Sequence, residues 1–221
     1  MSDWRIRAAG DAAVTVELEP RIDPVINARV MALAARVSVV RHPGVRDVVP
    51  SYCAVTVYFD PLRTDLDRLW TALEEAATRP VSEVGEEREI VVAVRYGGAA
   101  GPDLSEVAAF AGCSTDEVVR RHTAPRYRVY MVGFLPGFPY LGTVDARIAM
   151  PRRSSPRLTV PGGSVGIAGA QTGIYPTAAP GGWRLIGHTD VHPFAADREP
   201  PSLFRPGDVV RFEAATVQGG G

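Results

Sequence analysis

The sequence predicts an α+β protein in two parts, a small N-terminal α+β domain followed by a β-rich domain. Three observations predict it. Strand and helix signals alternate in the order ββαββα through residues 1–82, and a charged stretch follows. Beyond Arg128 helical periodicity disappears, and short apolar segments are separated by glycine and proline turns. At 221 residues and 46% hydrophobic, the chain is long enough for one large domain or two small ones, each able to bury its own core.

The elements follow in order. An extended piece around Trp4 to Ala8 precedes Ala13 to Leu18, which alternates as a half-buried strand does. Asp23 can cap a helix with Pro24 in its first turn, and Ile26, Val30, Leu33, Ala34 and Val37 recur at the spacing of one buried face. Asp47 to Val49 and Ala54 to Phe59 read as strands. A second helix starts at Thr64 with Asp67 as a box-like cap, carries Leu66, Leu69, Trp70, Leu73 and Ala77 as its apolar stripe, and ends at Pro80. This order suggests a ferredoxin-like domain over 1–82, with 83–89 as linker. Ile90 to Val94 then opens a second domain, 90–221. One helix follows Gly101-Pro102-Asp103, and another begins at Ser114, where Ser114 and Glu117 form a capping box.

Charge and composition exclude several functions. A net charge of −1 and a pI near 6.4 give no basic surface for nucleic acid or an anionic membrane. The start Met1-Ser2-Asp3-Trp4-Arg5 lacks a basic-then-apolar leader, and no apolar run approaches the ~20 residues of a membrane span, so a cytoplasmic location is expected. Cys53, in an apparent strand, and Cys113, at an apparent helix start, read as free thiols. All 24 Lys+Arg residues are arginine. Without lysine the chain cannot itself be a P-loop NTPase, a protein kinase, a Schiff-base enzyme or a biotin carrier. Any phosphate or carboxylate handled here must meet arginine forks and backbone N–H groups.

Four segments are candidates for chemistry. Gly133-Phe134-Leu135-Pro136-Gly137-Phe138-Pro139-Tyr140-Leu141-Gly142 is a rigid aromatic loop, suited either to walling a pocket for a small flat ligand or to plugging a barrel end. Pro151-Arg152-Arg153-Ser154-Ser155-Pro156-Arg157 sets three arginines on a proline-stiffened segment, either an anion grip or a solvated loop. Val160 to Pro176 concentrates glycines, whose backbone amides can form an anion nest or merely serve tight hairpins, around Gly163, Ser164, Gln171, Thr172 and Tyr175. Gly162 to Gly166 also matches G-x-S-x-G around Ser164, with Asp190 and His192 following. The nucleophile elbow needs a helix after its serine, and Ile167 to Gly173 is a poor helix start, which argues against a serine hydrolase. His188 and His192 lack any cysteine or glutamate partner pattern, so no metal site is expected; His188 remains a candidate proton donor.

These motifs resemble the family of KipI and the B component of 5-oxoprolinase, also called allophanate hydrolase subunit 1. The resemblance is carried by Tyr127 to Gly142, Pro151-Arg152-Arg153, Pro161 to Gly169, Gln171 to Pro176 and Pro180-Gly181-Gly182-Trp183. Gly10-Asp11, Tyr96-Gly97-Gly98, Gly101 to Leu104 and Pro206 to Phe212 extend it almost end to end. Gly162 departs from the alanine of the family pattern, and Ala170 stands where a polar residue is usual.

The resemblance implies an N-terminal α+β domain and a cyclophilin-like C-terminal β-barrel. It further implies one component of a 5-oxoprolinase, inactive alone, that opens 5-oxoproline to glutamate using ATP. The partners it implies are a homologous, larger C component and a third, A component. ATP would be bound at a site shared with or supplied by a partner, and no metal is expected. The alternative branch of the family inhibits autophosphorylation of a sensor histidine kinase. On this resemblance Arg153 and Arg157 are expected to hold carboxylate or phosphate, Gln171 and Thr172 to recognise the lactam, and Tyr140 to wall the pocket, with Gly163, Ser164 and Tyr175 beside them.

Overall fold

Strand signals in the first part of the sequence become a four-stranded antiparallel sheet in the computed structural model, which describes residues 3–80 and 87–215. The strands are β1 (Trp4–Ala8), β2 (Ala13–Leu18), β3 (Val45–Pro50) and β4 (Ala54–Phe59), arranged β1-β2-β4-β3. Alternation decides which face is covered. Val14, Val16 and Leu18 of β2 and Val55, Val57 and Phe59 of β4 point into one core, where they meet helices α1 (Pro24–Val40) and α2 (Leu66–Thr78).

The first helix is capped as its sequence requires, since the Asp23 carboxylate accepts from the Val25 and Ile26 N–H groups at 2.8 and 3.1 Å. Ile26, Val30, Leu33, Ala34 and Val37 are all buried. So is Asn27, whose Nδ2 donates to the Ser51 carbonyl oxygen at 3.2 Å and ties the helix to the β3–β4 turn. The second helix departs from expectation at its start. Asp65, not Thr64, is the cap: its carboxylate accepts from Arg68 N–H at 3.1 Å, while the Thr64 hydroxyl donates to Pro43 oxygen. Leu69 and Leu73 are fully buried, and Leu66 is exposed. Cys53 lies just before β4 rather than within a strand, and Cys113 lies between two helices; both are free thiols.

Met1–Glu87 forms one compact unit and Arg88–Gly221 the other. Residues 83–86 of the anticipated linker lie outside the described residues, and Glu89 already belongs to the first strand of the second unit. That unit comprises β5 (Glu89–Tyr96), α3 (Leu104–Ala111), α4 (Thr115–Thr123), β6 (Arg126–Val132), β7 (Pro139–Gly142), β8 (Arg157–Val160), β9 (Ser164–Ala168), β10 (Gln171–Ile174), β11 (Ala179–Gly181), β12 (Arg184–His188) and β13 (Val209–Ala214). Seven strands close a barrel in the order β10-β7-β6-β13-β5-β12-β9, while β8 and β11 pair as a separate ribbon. Only β5 and β13 run parallel among the described pairs, with Ile90 opposite Val210. Closure leaves the barrel without an exposed sheet edge.

Val92, Val94, Val129, Leu141, Ile167 and Ile186 fill the interior, each fully buried. Such side chains contribute ~1.5–3 kcal/mol apiece when taken from water. The helices lie against the same core through Leu104, Val107 and Val118. Ser114 caps α4 by accepting from Glu117 N–H at 3.2 Å, and Asp103 stands at the cap position of α3 without bonding to that helix through its side chain. Among the described residues no helix is long and apolar enough to cross a membrane. Replacing Asp65 by Ala is expected to lower unfolding stability by ~1 kcal/mol through loss of the α2 cap; urea titration measures it, and an unchanged midpoint would refute the assigned cap.

Candidate functional site

The aromatic loop between β6 and β7 is held by its own backbone. Gly133 N–H donates to Phe138 oxygen at 3.1 Å, and Phe138 N–H to Leu135 oxygen at 3.0 Å. Gly137 has φ +82°, and a Cβ there would lie 2.7 Å from the Phe194 Cβ, so the position demands glycine. Phe134 also has a left-handed φ of 67°, unusual for a bulky residue, and its ring stands 60% exposed.

Phe138 is the buried centre of an aromatic cluster. Tyr140, Tyr175 and Trp183 meet it edge to face at centroid distances of 4.9, 5.2 and 5.4 Å, and Phe134 at 5.7 Å. Such pairs add ~0.5–1.5 kcal/mol each beyond burial. Two glycines make room for the cluster. A Cβ on Gly173 would lie 2.8 Å from Phe138 Cζ, and one on Gly181 would lie 2.2 Å from the Tyr175 hydroxyl. That hydroxyl accepts from the Trp183 backbone N–H, and burial pushes its pKa up.

Above the cluster is a cavity of about 220 Å³. Phe134, Phe138, Tyr140, Tyr175 and Trp183 wall it, and Arg152 closes one side with its guanidinium 5.6 Å from the centre of the Trp183 ring. Pro156 and the Pro180–Gly182 turn complete the lining. The volume falls below the ~300–1,000 Å³ of drug-sized ligand sites, so the guest it suits is small.

Behind the cavity wall the other arginines serve Asp103. Its carboxylate, 4% exposed, accepts from Arg157 Nη2 at 2.7 Å, Arg153 Nη1 at 3.4 Å and Leu185 N–H at 2.7 Å. Arg184 pairs with Glu106 at 2.7 Å. A buried carboxylate is strongly unfavourable unless paired, and these contacts supply the pairing.

The start of the glycine-rich segment, Gly162 to Ser164, is not among the residues that line the cavity. Ser164 is buried and opens β9, with no helix after it, so the nucleophile-elbow geometry is absent. Gly163 has φ +81° and sits against His188, whose Nε2 would be 2.7 Å from a Cβ there. His188 Nε2 donates to the Gly162 carbonyl oxygen at 2.9 Å, which leaves Nδ1 to accept from Arg95 Nη2 at 3.1 Å. Arg95 in turn grips Asp190. Both imidazole nitrogens are therefore occupied in holding the 162–163 turn.

Thr172 faces the barrel interior and is fully buried. Its hydroxyl donates to Gly166 oxygen at 2.9 Å, so His122 Nε2, at 2.9 Å, must donate to it. His122 Nδ1 then accepts from the Tyr96 hydroxyl at 2.7 Å. Burial holds the His122 pKa down at about 3 and raises that of Tyr96. His122 did not stand out in the sequence, because a buried histidine on an amphipathic helix has no motif, and Tyr96 was marked only as part of Tyr96-Gly97-Gly98.

The anticipated residues thus fall in separate places. Tyr140 and Tyr175 share the cavity, Arg153 and Arg157 stand behind it on Asp103, and Gly163, Ser164 and His188 form a turn at another barrel corner. Thr172 lies inside the barrel, and the neighbouring Gln171 is half-buried on β10 opposite Gly142. The aromatic loop, the arginine segment and the Pro180–Trp183 turn do converge on one hollow. Among the described residues no group of three or more His, Cys, Asp or Glu could hold a metal ion.

The second unit is thus a closed barrel that carries a small aromatic cavity edged by an arginine. Sequence comparison then gives the family: the chain belongs to the carboxyltransferase domain, subdomain C and D, family, whose pattern matches residues 4–204. It is 46% identical over 219 residues to the B component of 5-oxoprolinase from Escherichia coli O157:H7, covering 96% of both chains. It is 40% identical over 220 residues to the same component from Bacillus subtilis (strain 168), covering 95% of this chain and 92% of that protein. Among solved structures, TTHA0988 superposes with a TM-score of 0.84 at 38% identity, covering 96% of this chain. This chain spans only 40% of the TTHA0988 polypeptide.

The interior histidine gives a pH-dependent prediction. An unfolded histidine titrates near 6.5, whereas folded His122 resists protonation down to about 3, so the unfolded state binds the extra proton below pH 6.5 and stability falls as pH drops. Between pH 6.5 and 5 this amounts to about 2 kcal/mol, at ~1.4 kcal/mol per pH unit. His122→Gln should flatten the dependence of unfolding free energy over that interval, and an unaltered slope would contradict the neutral buried assignment.

Proposed function

We propose that this chain acts as the B component of an ATP-dependent 5-oxoprolinase, opening 5-oxoproline to glutamate together with a larger C component and an A component. The observation that carries this reading is the near full-length similarity, at 40–46% identity, to proteins named as that component. The cavity supports it as well, since a five-membered lactam is small and flat enough to lie between Tyr140, Tyr175 and Trp183.

The reaction explains why several polypeptides take part. A lactam carbonyl is a poor electrophile; transfer of the γ-phosphoryl group of ATP to its oxygen makes the carbon attackable. Water then adds to that carbon, the ring C–N bond breaks, and phosphate is released, leaving glutamate and ADP. A chain without lysine, whose aromatic cavity is too small for a nucleotide, is suited to hold the ring there while partners supply the ATP site. On this reading the chain is inactive alone. The longer TTHA0988 polypeptide, of which this chain matches 40%, is consistent with a partner region adjoining the barrel.

The order β1-β2-β4-β3 supports reading the N-terminal unit as a ferredoxin-like sheet whose last strand has moved to the front of the chain, and the seven-stranded barrel suits a cyclophilin-like domain. The decisive experiment is reconstitution with the C and A components of the same organism, following glutamate formed from 5-oxoproline and ATP. Omitting this chain alone should abolish glutamate release, and a full rate without it would overturn the assignment.

A further inference from the structure

Four arginines lie on or beside the cavity wall, and three are already engaged. Arg153 and Arg157 bind Asp103, and Arg184 binds Glu106. Turning Arg153 and Arg157 toward a ligand would strand Asp103 as an uncompensated buried charge. Arg152 is different. It has no carboxylate partner among the described residues, and its guanidinium lies over Trp183 inside the lining of the cavity.

Its backbone is fixed on both sides: Arg184 Nε donates to Pro151 oxygen at 3.1 Å, and Arg153 N–H donates to Gly182 oxygen at 2.8 Å. Stacking on the indole further restricts the side chain, which reduces the entropy lost when the fork grips an anion. The Arg152 charge also acts on both cavity tyrosines, drawing down the phenol pKa values that burial raises. The hollow therefore joins an aromatic floor for a planar ring to one uncommitted planar cation at its edge.

We infer that Arg152 is the specificity-determining residue of this cavity, gripping the carboxylate of a small planar cyclic acid whose ring lies against Trp183 and the two tyrosines. The inference deepens the 5-oxoprolinase reading, in which the gripped group is the carboxylate of 5-oxoproline and the lactam is left facing the partner. Neighbouring arginines position the segment and do not contact the ligand.

The test follows the indole N–H resonance of Trp183 in the full chain, distinguished from those of Trp4 and Trp70, during titration with three probes. These are 5-oxoproline, furan-2-carboxylate, which keeps a planar five-membered ring and the acid without the lactam, and 2-pyrrolidinone, which keeps the lactam without the acid. Both acids should shift the resonance saturably, with 2-pyrrolidinone weaker by roughly 10- to 100-fold, as expected for loss of a charge-assisted contact. Arg152→Gln should weaken both acids by the same factor and leave 2-pyrrolidinone unchanged, and Arg152→Lys should fall between. Arg152 is exposed, so these variants keep the fold. The inference is overturned if Arg152→Gln titrates like the parent, if the parent binds 2-pyrrolidinone as tightly as the acids, or if neither acid shifts Trp183. Failure of the reconstituted complex to release glutamate would instead remove the 5-oxoprolinase reading and leave the titration to decide on Arg152.

Discussion

The carboxylate of Asp103 is the constraint on which the candidate site depends. It is buried at the start of α3, yet it caps nothing there; its oxygens serve Leu185 of β12 and two arginines, Arg153 before β8 and Arg157 at its start. An isolated ionised carboxylate in such a place would cost several kcal/mol, so pairing with the two arginines stabilises the barrel. Pinning Arg153 and Arg157 inward leaves Arg152 as the arginine of that short segment that lines the cavity. One buried negative charge thereby sorts three neighbouring positive charges into two that hold the fold and one that faces the cavity.

Aromatic packing supplies the second half of the arrangement. Phe138 could not reach its position if Gly173 carried a side chain, and Tyr175 could not bring its hydroxyl to the Trp183 amide if Gly181 did. Both glycines exist for close approach, not for turn conformation, since neither has a positive φ. The two possibilities for the aromatic loop, plug or pocket wall, turn out to be divided among its residues. Phe138 is fully packed and still reaches the lining of the hollow, while Tyr140 and Phe134 form a wall and a rim.

Polar groups inside the barrel form a continuous relay. Tyr96, His122, Thr172 and Gly166 are joined by hydrogen bonds that leave both imidazole nitrogens and the threonine hydroxyl satisfied, and burial keeps the imidazole neutral. This network connects α4 to β5, β9 and β10 across the core, and none of its members lines the cavity. His188 has a comparable anchoring role at the barrel corner, where it fixes the 162–163 turn between Arg95 and Gly162.

Local chemistry alone determined much of this protein. Alternation and capping placed β2, α1 and α4, because Asp23 and Ser114 act on amides two to three residues away and the apolar stripe of α1 is a property of its own period. The absence of lysine, too, is legible without coordinates. What tertiary structure decided are the pairings across long separations: Asp103 with Arg157, His122 with Thr172, Arg152 with Trp183. Nothing in Arg152-Arg153 tells the two side chains apart, since their type and neighbours are nearly identical; only the position of a carboxylate some fifty residues earlier does. Sequence periodicity reports which residues share a face of one element, whereas the partner of a charge is set by how the closed barrel brings distant elements together.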